Sequence, residues 1–126
     1  MSSGVHWEEL AGYCRATRVD DRIFVSGTTA SSDDGVVAVG DPAGQTRYVL
    51  DKIGWAIAEL GGRLEDVVRT RIYITDIVNT EAIARVHGEV FGHVRPANTL
   101  VRADLVGDEF LVEIEAEAIV GAGDAL

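Results

Sequence analysis

Arg95-Pro96-Ala97-Asn98-Thr99-Leu100-Val101, followed by Leu111-Val112-Glu113-Ile114-Glu115-Ala116-Glu117-Ala118, is the part of the chain that decides its fold. In the second stretch Val112, Ile114, Ala116 and Ala118 alternate with Leu111, Glu113, Glu115 and Glu117. A period of two sends alternate side chains to opposite faces of a strand, so the pattern predicts a sheet with one apolar face and one carboxylate-bearing face. The apolar set belongs against helices. Together the two stretches predict closing strands over about Asn98 to Ala103 and Phe110 to Ile119, joined through Gly107-Asp108-Glu109.

Upstream, Val67 to Ile74 reads as another strand, with Val68, Thr70, Ile72 and Ile74 on one side and Arg69, Arg71 and Tyr73 on the other. Val49, Leu50, Ile53, Ile57 and Leu60 recur at helical spacing. That helix starts at Asp41-Pro42, an N-cap followed by a proline where its missing N–H costs nothing, and ends at Gly61-Gly62. A second helix, capped by Asn79 or Thr80, carries Ile83, Val86 and Val90 and closes at Gly92. At the start, Tyr13 to Arg18 and Arg22 to Ser26 form a hairpin across Val19-Asp20-Asp21, with a loop at Gly27 and at Ser31 to Gly35. Two helices are too few to cover both faces of this sheet, which predicts an α+β domain with both helices on one side.

The chain has 126 residues, long enough for one core, and no repeat, linker or low-complexity tract divides it. With 47% hydrophobic and 25% charged residues it has the balance of an ordinary globular protein. Eleven basic residues against 21 acidic ones leave a formal charge of −10, which argues against a phosphate backbone as partner. The single cysteine, Cys14, excludes an internal disulfide and suits a reducing compartment; it reads as an inert small residue. No apolar run spans a membrane and the N-terminus has no leader pattern, so a cytoplasmic location is expected.

The two closing stretches, read with Gly12-Tyr13-Cys14-Arg15-Ala16 and Phe24-Val25-Ser26-Gly27, resemble the reactive intermediate deaminase family, also called Rid or YjgF-like, over nearly the whole chain. The resemblance implies a chorismate-mutase-like single domain over residues 1–126, a mixed sheet with two helices on one face, and a homotrimer with a central barrel and ligand clefts between subunits. It implies hydrolysis of a 2-imino or 2-aminoacrylate acid to a keto acid and ammonia. Glu113 matches the glutamate that activates water, Tyr13 the tyrosine lining the cleft, and Gly27 and Leu100 the positions whose backbone N–H groups approach the ligand. Asn98 stands where the deaminating members carry a carboxylate-binding arginine, fifteen positions before Glu113 as in the family.

That departure matters because arginine binds a carboxylate through a charged planar fork, whereas asparagine brings donors without charge. Either another cation substitutes or the ligand differs. Arg15, two residues after Tyr13 and so on the same side of the first strand, is the leading substitute; its alternative role is to neutralise the acidic last strand. Asn98 would suit an amide or a carbonyl. The bland reading of Glu113 is an ion pair with Arg102 or Arg71. A non-catalytic small-molecule-binding or regulatory trimer is the alternative to an enzyme of altered specificity.

His87 is placed at a helix interface, and His6 and His93 lack metal-ligand spacing with each other or with Cys14, so no metal is expected. The glycines between Gly35 and Gly44 lack both a phosphate-loop lysine and a dinucleotide fingerprint, and no cofactor is expected. Trp7 and Trp55 read as packing or interface anchors. Family members have been labelled endoribonucleases. Here there are no paired histidines and no basic groove, and the net charge has the wrong sign.

Overall fold

The computed structural model describes residues 1–126. In chain order the elements are α1 (His6–Ala11), β1 (Ala16–Val19), β2 (Arg22–Thr28), β3 (Ser31–Ser32), β4 (Gly35–Val36), α2 (Pro42–Glu59), β5 (Val67–Ile74), α3 (Thr80–Phe91), β6 (Ala97–Arg102) and β7 (Val112–Ile119). Three short 3₁₀ turns, Leu64–Asp66, Ile77–Asn79 and Ala122–Ala125, lie between or after them. Five strands form one sheet in the order β1-β2-β7-β5-β6. Only β5 and β6 run parallel, so the sheet is mixed, and β5 separates the two strands that end the sequence.

The core lies between the sheet and the helices. Ile23, Val25, Ile72, Ile74, Val112 and Ile114 from the strands meet Val49, Leu50, Ile53 and Ile57 of α2 and Ile83 and Val86 of α3. Each such side chain removed from water contributes about 1.5–3 kcal/mol. In β7 the alternation works as read: Val112, Ile114, Ala116 and Ala118 are buried, and the three glutamates between them face the other way. Asp41 caps α2 by accepting from the Gly44 N–H at 2.9 Å. Gly44 has to be small, since a Cβ there would lie 2.4 Å from the Asp41 carboxylate.

Several local expectations are corrected. Helix α1 is additional. The first strand starts at Ala16 rather than Tyr13, because the Arg15 N–H is taken by the Met1 carbonyl at 2.8 Å and the N-terminal amine donates to the Ala16 carbonyl at 2.6 Å. Gly27 is a strand residue, at a register shift between Val25 and Thr28 against β7, and Ser31 to Gly35 forms the β3-β4 hairpin. A second shift, between Val67 and Arg69, puts Val67 inside in place of Val68. Neither Asn79 nor Thr80 caps α3: Asp76 caps the preceding turn at the Val78 N–H, and the Thr80 hydroxyl donates to the Ile77 carbonyl.

Two buried polar side chains tie distant segments together. Asp66 accepts from the Arg63, Gly121 and Gly123 N–H groups, fixing the C-terminal turn to the start of β5. Gln45, fully buried on α2, donates to the Glu109 carbonyl at 2.9 Å and accepts from the Leu111 N–H at 2.8 Å. It anchors the β6-β7 connection.

Candidate functional site

Glu113 leaves β7 on the face away from the helices and reaches over Gly27 of the neighbouring strand. A Cβ at position 27 would lie 3.0 Å from the Glu113 carboxyl carbon, so the missing side chain is what makes room for the acid. The two residues line a cleft of about 370 Å³ together with Tyr13 and Arg15. Val5 and Trp7 form one wall, and Val106 and Phe110 of the connection held by Gln45 contribute another. Thr29 and Ser31 complete the lining.

Charge inside the cleft is unevenly distributed. Burial raises the Glu113 carboxyl above the ordinary glutamate range; Arg15 opposes the shift and Glu115 adds to it. Arg15 is only 4% exposed, and its Nε and Nη2 are buried without a hydrogen-bond partner. Its guanidinium carbon stands 5.7 Å from the centre of the Tyr13 ring, a cation–π arrangement. Its Nε is 3.9 Å from buried Glu8. Burial acts to raise Glu8, but hydrogen bonds from Ser3 and Ser2, with Arg15, hold it below the usual range and therefore ionised.

Glu113 is not paired with Arg71. That guanidinium goes to Glu117 at 3.1 Å and Glu115 at 3.7 Å, while Arg102 stands in register with Ile74, on the opposite face of the sheet from Glu113. Tyr73 donates to Glu115. The carboxylate row of β7 thus divides into two acids with local partners and one, Glu113, that faces the cleft.

Asn98 and Leu100 lie elsewhere. They stand on β6, the outer strand, in register with Thr70 and Ile72, whose side chains face the helices. Asn98 is exposed, and its Nδ2 donates to Thr70 Oγ1 at 2.9 Å. Within one chain, therefore, Tyr13, Arg15, Gly27 and Glu113 come together and Asn98 and Leu100 do not.

Residues 5–120 match the family model described as Endoribonuclease L-PSP. The chain belongs to this family, the YjgF-like or Rid proteins. It is 40% identical, over 99% of its own length and 94% of the relative, to an uncharacterized protein of Streptomyces coelicolor. It is 39% identical to the 3-aminoacrylate deaminase RutC of Acinetobacter baylyi, over 88% of this chain and 89% of that protein. Among solved structures, Rv2704 of Mycobacterium tuberculosis superposes with a TM-score of 0.86 at 43% identity, covering 95% of this chain and 97% of that one. The Rid protein YyfA of Yersinia pestis gives 0.79 at 30% identity, covering 86% and 87%. These likenesses agree with the chorismate-mutase-like α+β fold.

In this Rid protein, Glu113, Tyr13 and Arg15 line one cleft. Arg15 and Tyr13 precede β1 and so do not share a strand face, yet both line the cleft. The carboxylate nearest Arg15 is Glu8, not the acidic strand. Trp7 is 51% exposed beside the cleft and Trp55 44% exposed, so neither is a core anchor. The sequence reading missed the cleft walls. Val5 and Trp7 come with α1, whose six residues are too few for a periodic signal, and Val106 and Phe110 sit in a connection without periodicity.

Proposed function

We propose that this Rid protein hydrolyses a small reactive imine or enamine, releasing ammonia and leaving a carbonyl compound, with Glu113 as its acid–base group. The observation that carries this reading is the Glu113 carboxyl, raised by burial and poised over Gly27 in a cleft with a cation. A carboxyl with a raised pKa is matched to proton transfer near neutral pH. Water adds to the imine carbon while a proton reaches the nitrogen. The carboxylate takes a proton from the added water and passes it to the amine of the carbinolamine, the C–N bond breaks, ammonia leaves, and the hydroxyl proton returns to the carboxylate. The similarity to a 3-aminoacrylate deaminase supports the same class of chemistry.

The working unit in this reading is a homotrimer, and each cleft lies between two copies. Asn98 and Leu100 stand on an outer strand and on the opposite face from Glu113, so they reach its cleft only from a neighbour. Tyr13 shapes the cleft, and the backbone at Gly27 and Leu100 approaches the ligand. Arg15, desolvated and incompletely paired, supplies the positive field for an anionic substituent. Asn98 alters specificity by removing the second cation. The chain requires no metal or cofactor for this reaction, and the lone Cys14 suits a cytoplasmic setting.

Asn98→Arg tests the placement. Restoring a charge-assisted hydrogen bond should raise kcat/KM for 2-imino acids about ten- to a hundredfold. No gain with the assembly intact would remove Asn98 from the carboxylate end of the cleft.

A further inference from the structure

Asn98 does not stand alone. Its Nδ2 donates to Thr70 Oγ1 at 2.9 Å and approaches the Thr70 carbonyl at 3.5 Å. Thr70 Oγ1 is in turn 2.8 Å from His87 Nε2. Thr70 is fully buried and His87 sits on α3 against Phe91, with ring centres 4.7 Å apart. The three residues therefore form one chain of hydrogen bonds running from the helix layer to the outer edge of the sheet.

The direction of that chain follows from counting protons. A backbone carbonyl only accepts, so the amide nitrogen of Asn98, not its oxygen, is the atom turned toward Thr70. The Thr70 hydroxyl then accepts from Asn98 and has one proton of its own to place. Its other neighbour is His87 Nε2, which takes that proton only if the ring carries its hydrogen on Nδ1. Burial favours the neutral ring that this requires. With the nitrogen held inward, Asn98 Oδ1 has no partner within the chain, and Asn98 is exposed.

The geometry points to His87 and Thr70 as positioning residues that lock the Asn98 amide with its oxygen outward, so that the cleft it completes selects substrates presenting an N–H donor rather than a carboxylate there. The inference rests on the proposed sharing of the cleft between copies. An arginine at position 98 would demand acceptors on the substrate; the locked amide demands the reverse. With Arg15 across the cleft, the favoured ligand has an anionic end and an amide- or amine-like end. A bare amide could turn over to suit either ligand; the relay removes that freedom.

Malonamate and malonate provide a matched pair of probes, equal in shape, each with one carboxylate for Arg15. They differ in whether the far end carries an NH2 donor or a second carboxylate. Titration of the assembled wild type should show malonamate binding about three- to tenfold more tightly, the contribution of one hydrogen bond. Thr70→Val, which keeps shape and removes the hydroxyl, should bring the two affinities together. Nitrogen spectra of the His87 ring should show hydrogen on Nδ1 and none on Nε2.

A ring protonated at Nε2, or a ratio unmoved in Thr70→Val, overturns the relay. Tighter binding of malonate by an intact assembly overturns the inferred selectivity and leaves the hydrolase reading standing. Binding indifferent to Asn98→Ala overturns both this inference and the shared cleft. Thr70→Ser, which restores the hydroxyl, should restore the ratio, a rescue that a merely structural role for Thr70 would not show.

Discussion

At Glu113, ionisation and stability are coupled with a definite sign. Burial raises its folded-state pKa, so between the unfolded and folded values the folded protein holds more protons, and stability falls as pH rises through that window. Glu113→Gln should therefore be more stable than wild type at neutral pH. Thermal denaturation across pH checks this: the advantage should vanish in acid, and a constant difference would mean that burial of the charge is not its source. Gly27→Ala tests the same carboxyl from the opposite strand. Its added Cβ, 3.0 Å from the carboxyl carbon, should displace the acid and lower kcat/KM about tenfold or more, while the fold changes by no more than about 1 kcal/mol. Retained activity would show that the position of Glu113 is not critical. In the sequence, parity along the alternating strand puts Glu113, Glu115 and Glu117 on one face, and only the family resemblance singles out Glu113 among them. The link from Asn98 to His87 was not legible there, because its three members come from β6, β5 and α3 and meet only when those elements pack.

Among the elements, the long periodic ones were readable and the short ones were not. Helices α2 and α3 and strands β5 and β7 carry enough turns or alternations for burial to write a period into the sequence. Helix α1 is held by Glu8, which accepts from Ser2 and Ser3 just ahead of the helix. Its six residues are too few to write a period into the sequence. Gln45 is the clearest case of an element positioned by one side chain. Gln45→Leu should cost about 1–3 kcal/mol in denaturant unfolding, because the Glu109 carbonyl and the Leu111 N–H lose their buried partner. It should also open the β6-β7 connection to proteolysis, and unchanged cleavage there would show that Gln45 is not the anchor. Asp66→Ala leaves three N–H groups without their carboxylate acceptor and should destabilise by about 2–4 kcal/mol, read from the same unfolding curves.

For the whole molecule, the mixed sheet divides labour between its faces: one is closed by α2 and α3, and the other carries Arg71, Tyr73 and the glutamates of β7. The cleft opens on that second face, while Asn98 and Leu100 belong to the outer strand and look toward the helices. Sedimentation should find a trimer, and a stable, active monomer would contradict the shared cleft. Composition sets a further expectation: a formal charge of −10 should leave RNA unbound at physiological salt. The central claim, that Glu113 drives hydrolysis of a reactive imine, is tested most directly by ammonia release from freshly generated 2-aminoacrylate and from uncharged or bulkier imines. Wild type should accelerate release from at least one of them by about 10²- to 10⁴-fold over Glu113→Ala. Equal rates for the two proteins on every substrate would contradict it.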